Sequence, residues 1–452
     1  MKKRIFAALL SAVMLMSMVM LSGCGEKGAS NGKTKITIWS SDRSEMDIRE
    51  KQIAEFNAAH DDIEIVYEVK SDGYADLIKV ACESNTAPDI FSYVPALAKN
   101  GYAKPLDKEL TKKFEEEFLP GAIRRPSLDG KAYAVALKDV GHKFVWNKTV
   151  FEKAGLDPEN PPKTWEEVRD YAKTITQKGK GVTYGFALPL KQSAFVTYYI
   201  MNPSAVDANY NCSGFDPVKG KYSFDCYKPM LEVMRDLKKD GSLFPTPGTL
   251  DNDTARAQFA EGNVGMMIGA GWDVGVFNDQ FPVKGDWGVT DLPSLDGEVD
   301  GGYIFGYGGN AFCMNAKSEN EEAQRIVYEW LHSEEILTEL SEAGKGPFTM
   351  KSISGDKYVP ADKKGAKEFA TRTEPYVIMD SLQEVPDIKL EGDTVDKVFA
   401  DAIISDLDFD KCIKDLNKRY NSAFDKFKAD EKKEGRDPDR FHMPDYDYSK
   451  GY

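Results

Sequence analysis

Lys35-Ile36-Thr37-Ile38-Trp39 and Ile63-Glu64-Ile65-Val66-Tyr67-Glu68-Val69, separated by the helix formers of Met46 to Ala59, decide the fold class of this chain. In both segments apolar side chains recur at every second position, the period of a strand with one buried face. Strand, helix, strand is the opening unit of an α/β layer with parallel strands. A further helical stretch, Tyr74 to Ser84, leads through Asn85 to Ala87-Pro88-Asp89-Ile90-Phe91-Ser92-Tyr93, a short apolar strand behind a proline.

A second α/β unit is expected from Phe144-Val145-Trp146-Asn147-Lys148 onward. Thr164 with Glu167, and Ser318 with Glu321, have the spacing of capping boxes that open helices. In the second of these helices Ala323, Ile326, Val327, Trp330 and Leu331 share one face and read as core. Near Phe259-Ala260-Glu261-Gly262 a helix stops at glycine, Val264 to Ile268 reads as a strand, and Gly269-Ala270-Gly271-Trp272-Asp273 breaks it. Open α/β sheets hold ligands in loops at strand C-terminal ends, which is where Trp272 and Asp273 fall. One long helical stretch, from Val395 through Phe399, Ile403, Ile413, Leu416 and Phe424 to Phe427, is expected to pack on the second unit, followed by a tail.

The N-terminus has the form of an export signal: Lys2, Lys3 and Arg4, then an apolar run from Ile5 to Leu21. Leu21-Ser22-Gly23-Cys24 resembles a bacterial lipobox, which implies lipidation of Cys24 and cleavage before it, with Gly25 to Lys33 as a flexible tether. Cleavage removes those three cations and no carboxylate, taking the net charge from −15 to −18. Such acidity argues against nucleic acid or an anionic membrane surface as partner. Cys82, Cys212, Cys226, Cys313 and Cys412 match no zinc or redox spacing, so neither metal nor cofactor is expected. Cys212 and Cys226 flank the turn-like Asp216-Pro217-Val218-Lys219-Gly220, and a hairpin there leaves either a disulfide or two thiols open.

In order along the chain, Ala87-Pro88-Asp89-Ile90, Val145-Trp146-Asn147-Lys148, Lys153-Ala154-Gly155-Leu156, Pro162-Lys163-Thr164-Trp165-Glu166-Glu167, Phe259 to Trp272 and Gly308-Gly309-Asn310 resemble family 1 extracellular solute-binding proteins. That group includes maltose-binding protein and serves ABC importers. The resemblance implies two lobes, each a mostly parallel sheet flanked by helices, with a ligand cleft between them. It places lobe 1 at residues 34–139 and 306–346, lobe 2 at 145–302 and 350–430, and a tail at 431–452, with crossings near Asp139 to His142, Tyr303 to Tyr307 and Lys345 to Pro347. Where the family often has glycine before its Pro-Asp strand this chain has Asn85, which tolerates positive φ. Implied partners are a carbohydrate, the importer's permease subunits and, through the lipid, the membrane, with the chain acting as a monomer.

A sugar needs aromatic plates for its C–H faces and carboxylates or amides for its hydroxyl rim. The candidates for contact are Trp39, Tyr93, Trp272 and Tyr307 as plates, with Asp42, Asp139, Gln192 and Asp273 as rim. Trp146, Trp165, Trp287 and Trp330 read as structural, and His142 is the one histidine beside a crossing. Two other functions compete: the same fold taking a peptide or polyamine, and a secreted glycoside hydrolase with paired carboxylates. No Gly-x-Ser-x-Gly, His-Glu-x-x-His or phosphate-loop motif is present, which favours a binder over an enzyme.

Overall fold

Ile36 and Ile38 are wholly buried in β1 (Thr34–Ser40), and Ile63 and Ile65 nearly so in β2 (Ile63–Val69), as their period of two requires. The two strands run parallel with Ile36 opposite Ile65, and β3 (Ile90–Ser92) lies parallel on the other side of β1. The computed structural model describes residues 32–70, 73–119, 121–124, 131–207, 214–308, 311–355, 357–373, 376–378, 386 and 388–446, less the side chains of 140, 304–308 and 376–378. Cys24, most of the tether and Cys212 lie outside these residues, and with Cys212 the question of its pairing with Cys226.

The chain continues through β4 (Ala103–Lys104), β5 (Ile123–Arg124), β6 (Ala134–Val135) and the long β7 (Lys138–Asn147). It then forms β8 (Tyr184–Phe186), the hairpin β9 (Phe215–Asp216) and β10 (Lys221–Tyr222), β11 (Val264–Ala270), β12 (Trp287–Thr290), β13 (Tyr303–Gly308), β14 (Phe312–Asn315) and β15 (Tyr376–Ile378). Two main sheets result: β2-β1-β3-β14-β6-β5 with β4 beside β14, and β15-β13-β7-β11-β8 with β12 beside β7. Parallel pairing is confined to β1–β2, β1–β3, β8–β11 and β13–β15; every other named pair is antiparallel, so the sheets are mixed rather than mostly parallel. β14, which follows β13 back into the first sheet, pairs antiparallel with β3, β4 and β6.

The lobes are joined by a ribbon. β7 leaves the first sheet directly after β6, β13 returns directly before β14, and the two pair antiparallel with Tyr307 opposite Asp139 and Phe305 opposite Gly141. A third strand of chain runs alongside at Pro347, whose carbonyl accepts from Asp139 N at 2.9 Å. Phe56, Leu110, Phe114, Val327, Leu331 and Leu340 fill the first lobe's core. Phe144, Trp165, Phe186, Tyr199, Leu231, Phe399 and Leu416 belong to the second's.

Local signals hold in places and yield in others. Thr164 and Glu167 form the expected capping box, Thr164 Oγ1 accepting from Glu167 N at 3.1 Å and Glu167 Oε2 from Thr164 N at 3.3 Å. Asn85 has φ +55°, the conformation in which it replaces glycine. Ser318 does not cap its helix: the hydroxyl donates to Asp89 Oδ1 at 2.7 Å, and the helix begins at Glu321. On that helix Val327 and Leu331 are buried but Ile326 is exposed. The C-terminal stretch is two helices, Val395–Ile404 and Phe409–Lys433, broken at Asp406 with φ +54°. Beyond them Phe441 is buried against Phe215, Phe424 and Phe427, and Arg436 and Arg440 both pair with Glu431, so the tail is strapped to the second lobe. No helix among the described residues is long and apolar enough to cross a membrane.

Gly185 in β8 lets the helix Trp165–Gly179 lie directly on the sheet, since a Cβ there would sit 2.2 Å from Ala172 Cα. Gly185→Ala is expected to lower unfolding free energy by about 1–3 kcal/mol through overpacking. A lower urea midpoint at unchanged slope is the readout.

Candidate functional site

A cavity of about 700 Å³ opens between the lobes. From the first lobe it is lined by Ser41 to Ser44, the turn that follows β1, and from the joining ribbon by Lys138. The second lobe supplies Lys191, Gln192, Phe195, Asp251 to Asp253, Arg256, Trp272, Val276 and Gln280.

The turn after β1 is set by its own polar groups. Ser41 N donates to Ser92 Oγ at 2.9 Å, Asp42 N to Ser40 Oγ at 3.1 Å, and Ser44 N to Asp42 Oδ1 at 2.7 Å. Asp42 Oδ2 takes the ammonium of Lys138 at 2.8 Å, and Glu45 Oε1 takes it at 3.0 Å. Burial opposes the charge on Asp42, but Lys138 and Ser44 more than offset it and hold the carboxyl at about 2. Lys138, more deeply buried than Asp42, is pushed above the usual lysine range by the two carboxylates against the cost of that burial.

Trp272 follows the last residue of β11 by two positions and stands partly exposed at the cavity wall. Its ring meets the edge of His142 at 6.4 Å and 89°, His142 stacks on Tyr198 at 4.4 Å, and Tyr198 meets Phe195 at 5.3 Å. A row of ring contacts through His142 and Tyr198 therefore links the two aromatic residues that line the cavity, Trp272 and Phe195. His142 is buried, and that burial lowers its pKa to about 4, so it is a neutral ring at physiological pH. Asp251 caps the helix Asn252–Ala260, its side chain accepting from Thr254 N at 2.8 Å and pairing with Lys191 at 3.1 Å.

Of the residues expected to contact a ligand, Asp42, Gln192 and Trp272 are brought together at this cavity. Asp139 is not on its rim: it is 1% exposed, burial pushes its carboxyl up to about 6 against the pull of Arg372, and Arg372 Nε donates to it at 2.9 Å. Asp273 lies behind Trp272, buried, accepting from Ala270 N and paired with Arg256. Trp39 and Tyr93 pack against a side cluster of the first lobe with Tyr74, Ile78 and Phe91, and Lys70 lies 5.3 Å over the Trp39 ring. For Tyr307 the structure describes the backbone, which pairs with Asp139 in the ribbon. The expectation missed Arg43, Lys138, Phe195 and Arg256. Arg43 was within reach of the rule that named Asp42, as both follow β1; the other three have no local signal. Among the described residues no group of three or more His, Cys, Asp or Glu is placed to hold a metal ion.

The chain belongs to the bacterial extracellular solute-binding proteins, whose family profile matches residues 41–335. A binding protein of Brucella abortus (strain 2308) is 26% identical over 239 residues, 51% of this chain and 54% of that one, so the chain matches about half of that relative's length. The melibiose/raffinose/stachyose-binding protein MelE of Bacillus subtilis (strain 168) is 21% identical over 399 residues, 83% of this chain and 87% of that one. The solute-binding protein RafE in complex with raffinose superposes with a TM-score of 0.68 at 17% identity, covering 86% of this chain and all of that one, and shares the fold.

The ionised Asp42 carries a sign for acid stability. Its folded pKa of about 2 lies below the unfolded value of about 3.9, so its contribution is complete above about pH 4 and is lost as pH falls toward 2. Lys138→Met is expected to flatten that segment of the stability profile, measured by urea unfolding from pH 5 to pH 2.

Proposed function

We propose that the mature chain is tethered by lipid at Cys24 outside the cytoplasm, captures a neutral oligosaccharide between its lobes by hinge closure, and delivers it unconverted to the permease of an ABC importer. The observation that carries the substrate class is the pairing of charge around the cleft. Lys138 is matched by Asp42 and Glu45, Lys191 by Asp251, Arg43 by Asp253, and Arg256 by Asp253 and Asp273. A polyamine, a charged peptide terminus or a phosphate could engage the buried pairs, Lys138 with Asp42 and Arg256 with Asp273, only by breaking them and leaving a partner uncompensated. A sugar asks for nothing of the kind. Its C–H faces suit Trp272 and Phe195, and its hydroxyls suit Gln192, Gln280, Ser41, Ser44 and the remaining lone pairs of Asp42. The reading is supported by the sugars in the names of MelE and of the raffinose complex. It is supported also by the lack of any catalytic motif in the sequence.

A thermal-shift screen is the test, because a solute that binds only the folded chain raises its melting temperature. Raffinose-type or malto-oligosaccharides are expected to do so and to be recovered unchanged by chromatography; spermidine, tripeptides and glycerol phosphate are not. Trp272→Ala should weaken binding by about 1–3 kcal/mol in calorimetry while leaving the unliganded melting temperature almost unchanged. A shift given by spermidine alone, or sugar turnover abolished by one carboxylate substitution, overturns the reading.

For the anchor, Cys24→Ala is expected to block lipid attachment and processing, with intact mass of the membrane fraction as the readout. An unlipidated mature N-terminus in the parent protein contradicts it.

A further inference from the structure

The turn that carries Trp272 is held by a group from another element. Asp273 Oδ2 accepts from Ala270 N at 2.8 Å, and Asp273 Oδ1 lies 2.7 Å from Nε of Arg256, on the helix Asn252–Ala260. Asp273 and Arg256 are both buried. The same guanidinium reaches outward, its Nη1 donating to Asp253 Oδ1 at 3.0 Å. Asp253 Oδ2 in turn lies 3.2 Å from Nη2 of Arg43, which stands on the turn after β1 in the opposite lobe. Four charges thus alternate in sign from the seat of Trp272 across the mouth of the cleft.

We propose that Arg256 is a positioning residue that couples the seat of Trp272 to closure of the lobes, with Arg43–Asp253 as a latch that acts before any solute arrives. The inference rests on the cleft being the binding site, as proposed above, but not on the identity of the solute. Two exposed side chains usually gain little from pairing, because each gives up rotamer freedom. Here one partner is already oriented. Asp253 sits in the first turn of its helix, where the macrodipole favours an anion, and Arg256 one turn on fixes its carboxylate toward the cleft. Arg43, with 63% of its side chain exposed, is the only member of the chain of four that must be ordered on closing. Its pairing is therefore a weak, salt-screened bias. Because Asp253 and Asp273 share one guanidinium, loss of Arg43 is felt at the Trp272 turn.

The test uses the unliganded mature chain. With 5-fluorotryptophan incorporated, the Trp272 resonance is assigned by Trp272→Phe and compared in Arg43→Ala and Asp253→Asn. Spin labels at exposed Lys99 in the first lobe and Lys178 in the second report the interlobe distance. Arg43→Ala, Asp253→Asn and 1 M NaCl on the parent are each expected to move the Trp272 resonance in the same direction. The resonances of buried Trp146, Trp165 and Trp287 should stay in place. The ratio of compact to open population should fall about two- to fivefold, the range for an exposed ion pair. If Trp272 and the distance distribution in Arg43→Ala overlay the parent, the coupling is refuted, and a shift in Asp253→Asn alone refutes it equally by confining the effect to one lobe. Neither readout involves a sugar, so failure here leaves the substrate assignment standing, and a failed sugar screen leaves the latch standing.

Discussion

Lys138 is the residue on which the arrangement of the two lobes depends. It opens the strand that leaves the first sheet, and its ammonium is buried between Asp42 and Glu45. Glu45 is completed by Arg49 at 2.9 Å, and Arg49 by Gln52 at 3.1 Å, whose amide donates to the carbonyl of Ile336 at 3.0 Å. Two cations and two carboxylates are thereby neutralised in a place where none could stand alone. Such a cluster is a poor source of net stability, because desolvation cancels most of the attraction, but breaking it leaves a charge stranded. It fixes the base of the crossing strand to the first lobe. Five residues on, Lys143 pairs with Asp291 at the end of β12 and fixes the same strand to the second. The hinge closure proposed above then falls on the residues between, to which β13 is hydrogen-bonded as one ribbon.

That anchoring also bears on the sugar reading proposed for the cleft. Asp42 faces the cavity, yet its Oδ1 accepts from Ser44 N and its Oδ2 holds Lys138. Its charge is already answered within the protein, so what it has left to offer is lone pairs, the currency of hydroxyl groups rather than of cations. On the opposite wall Lys191, Asp251, Asp253 and Arg256 are likewise paired, and the apolar part, Trp272 and Phe195, is backed by His142 and Tyr198, with His142 uncharged. The second lobe supplies both aromatic surface and polar groups, and the first a short polar rim.

The parts of this that could be read from the chain are those whose cause is local. Alternation in β1 and β2, the capping box at Thr164 and the positive φ of Asn85 depend on neighbours a few positions away, and each appears where the pattern puts it. Trp272 and Asp42 reach the cavity because loops at strand ends face a cleft by geometry. What failed was decided by distant partners. Asp139 is taken out of the cleft by Arg372, 233 positions away, and Ser318 is drawn from its helix by Asp89, 229 positions away. Lys138 reads as a solvated lysine after an apolar run until Asp42 is folded against it. Trp39 and Tyr93 have the right positions at strand ends, but the helix Tyr74–Glu83 offers them an apolar neighbour first. Periodicity likewise says which face of a strand is buried and nothing about the direction of the strand beside it, which is why the mixed sheets were not foreseen.

The uneven division between the lobes limits how closure can work. A solute shifts an equilibrium only by the contacts it makes in one state and not in the other. On the proposed reading, a solute stacked on Trp272 and Phe195 has those contacts whether the lobes are open or closed. What closing adds is the rim from Ser41 to Ser44, a few hydrogen bonds worth about 1 kcal/mol each, somewhat more where one partner is charged. Driving a population from 1:99 to 99:1 takes about 5.5 kcal/mol, more than such a rim comfortably provides. On that reading the unliganded equilibrium has to start closer to balance. Arg43 with Asp253, paired across the mouth of the cleft, is the latch proposed to act in that direction.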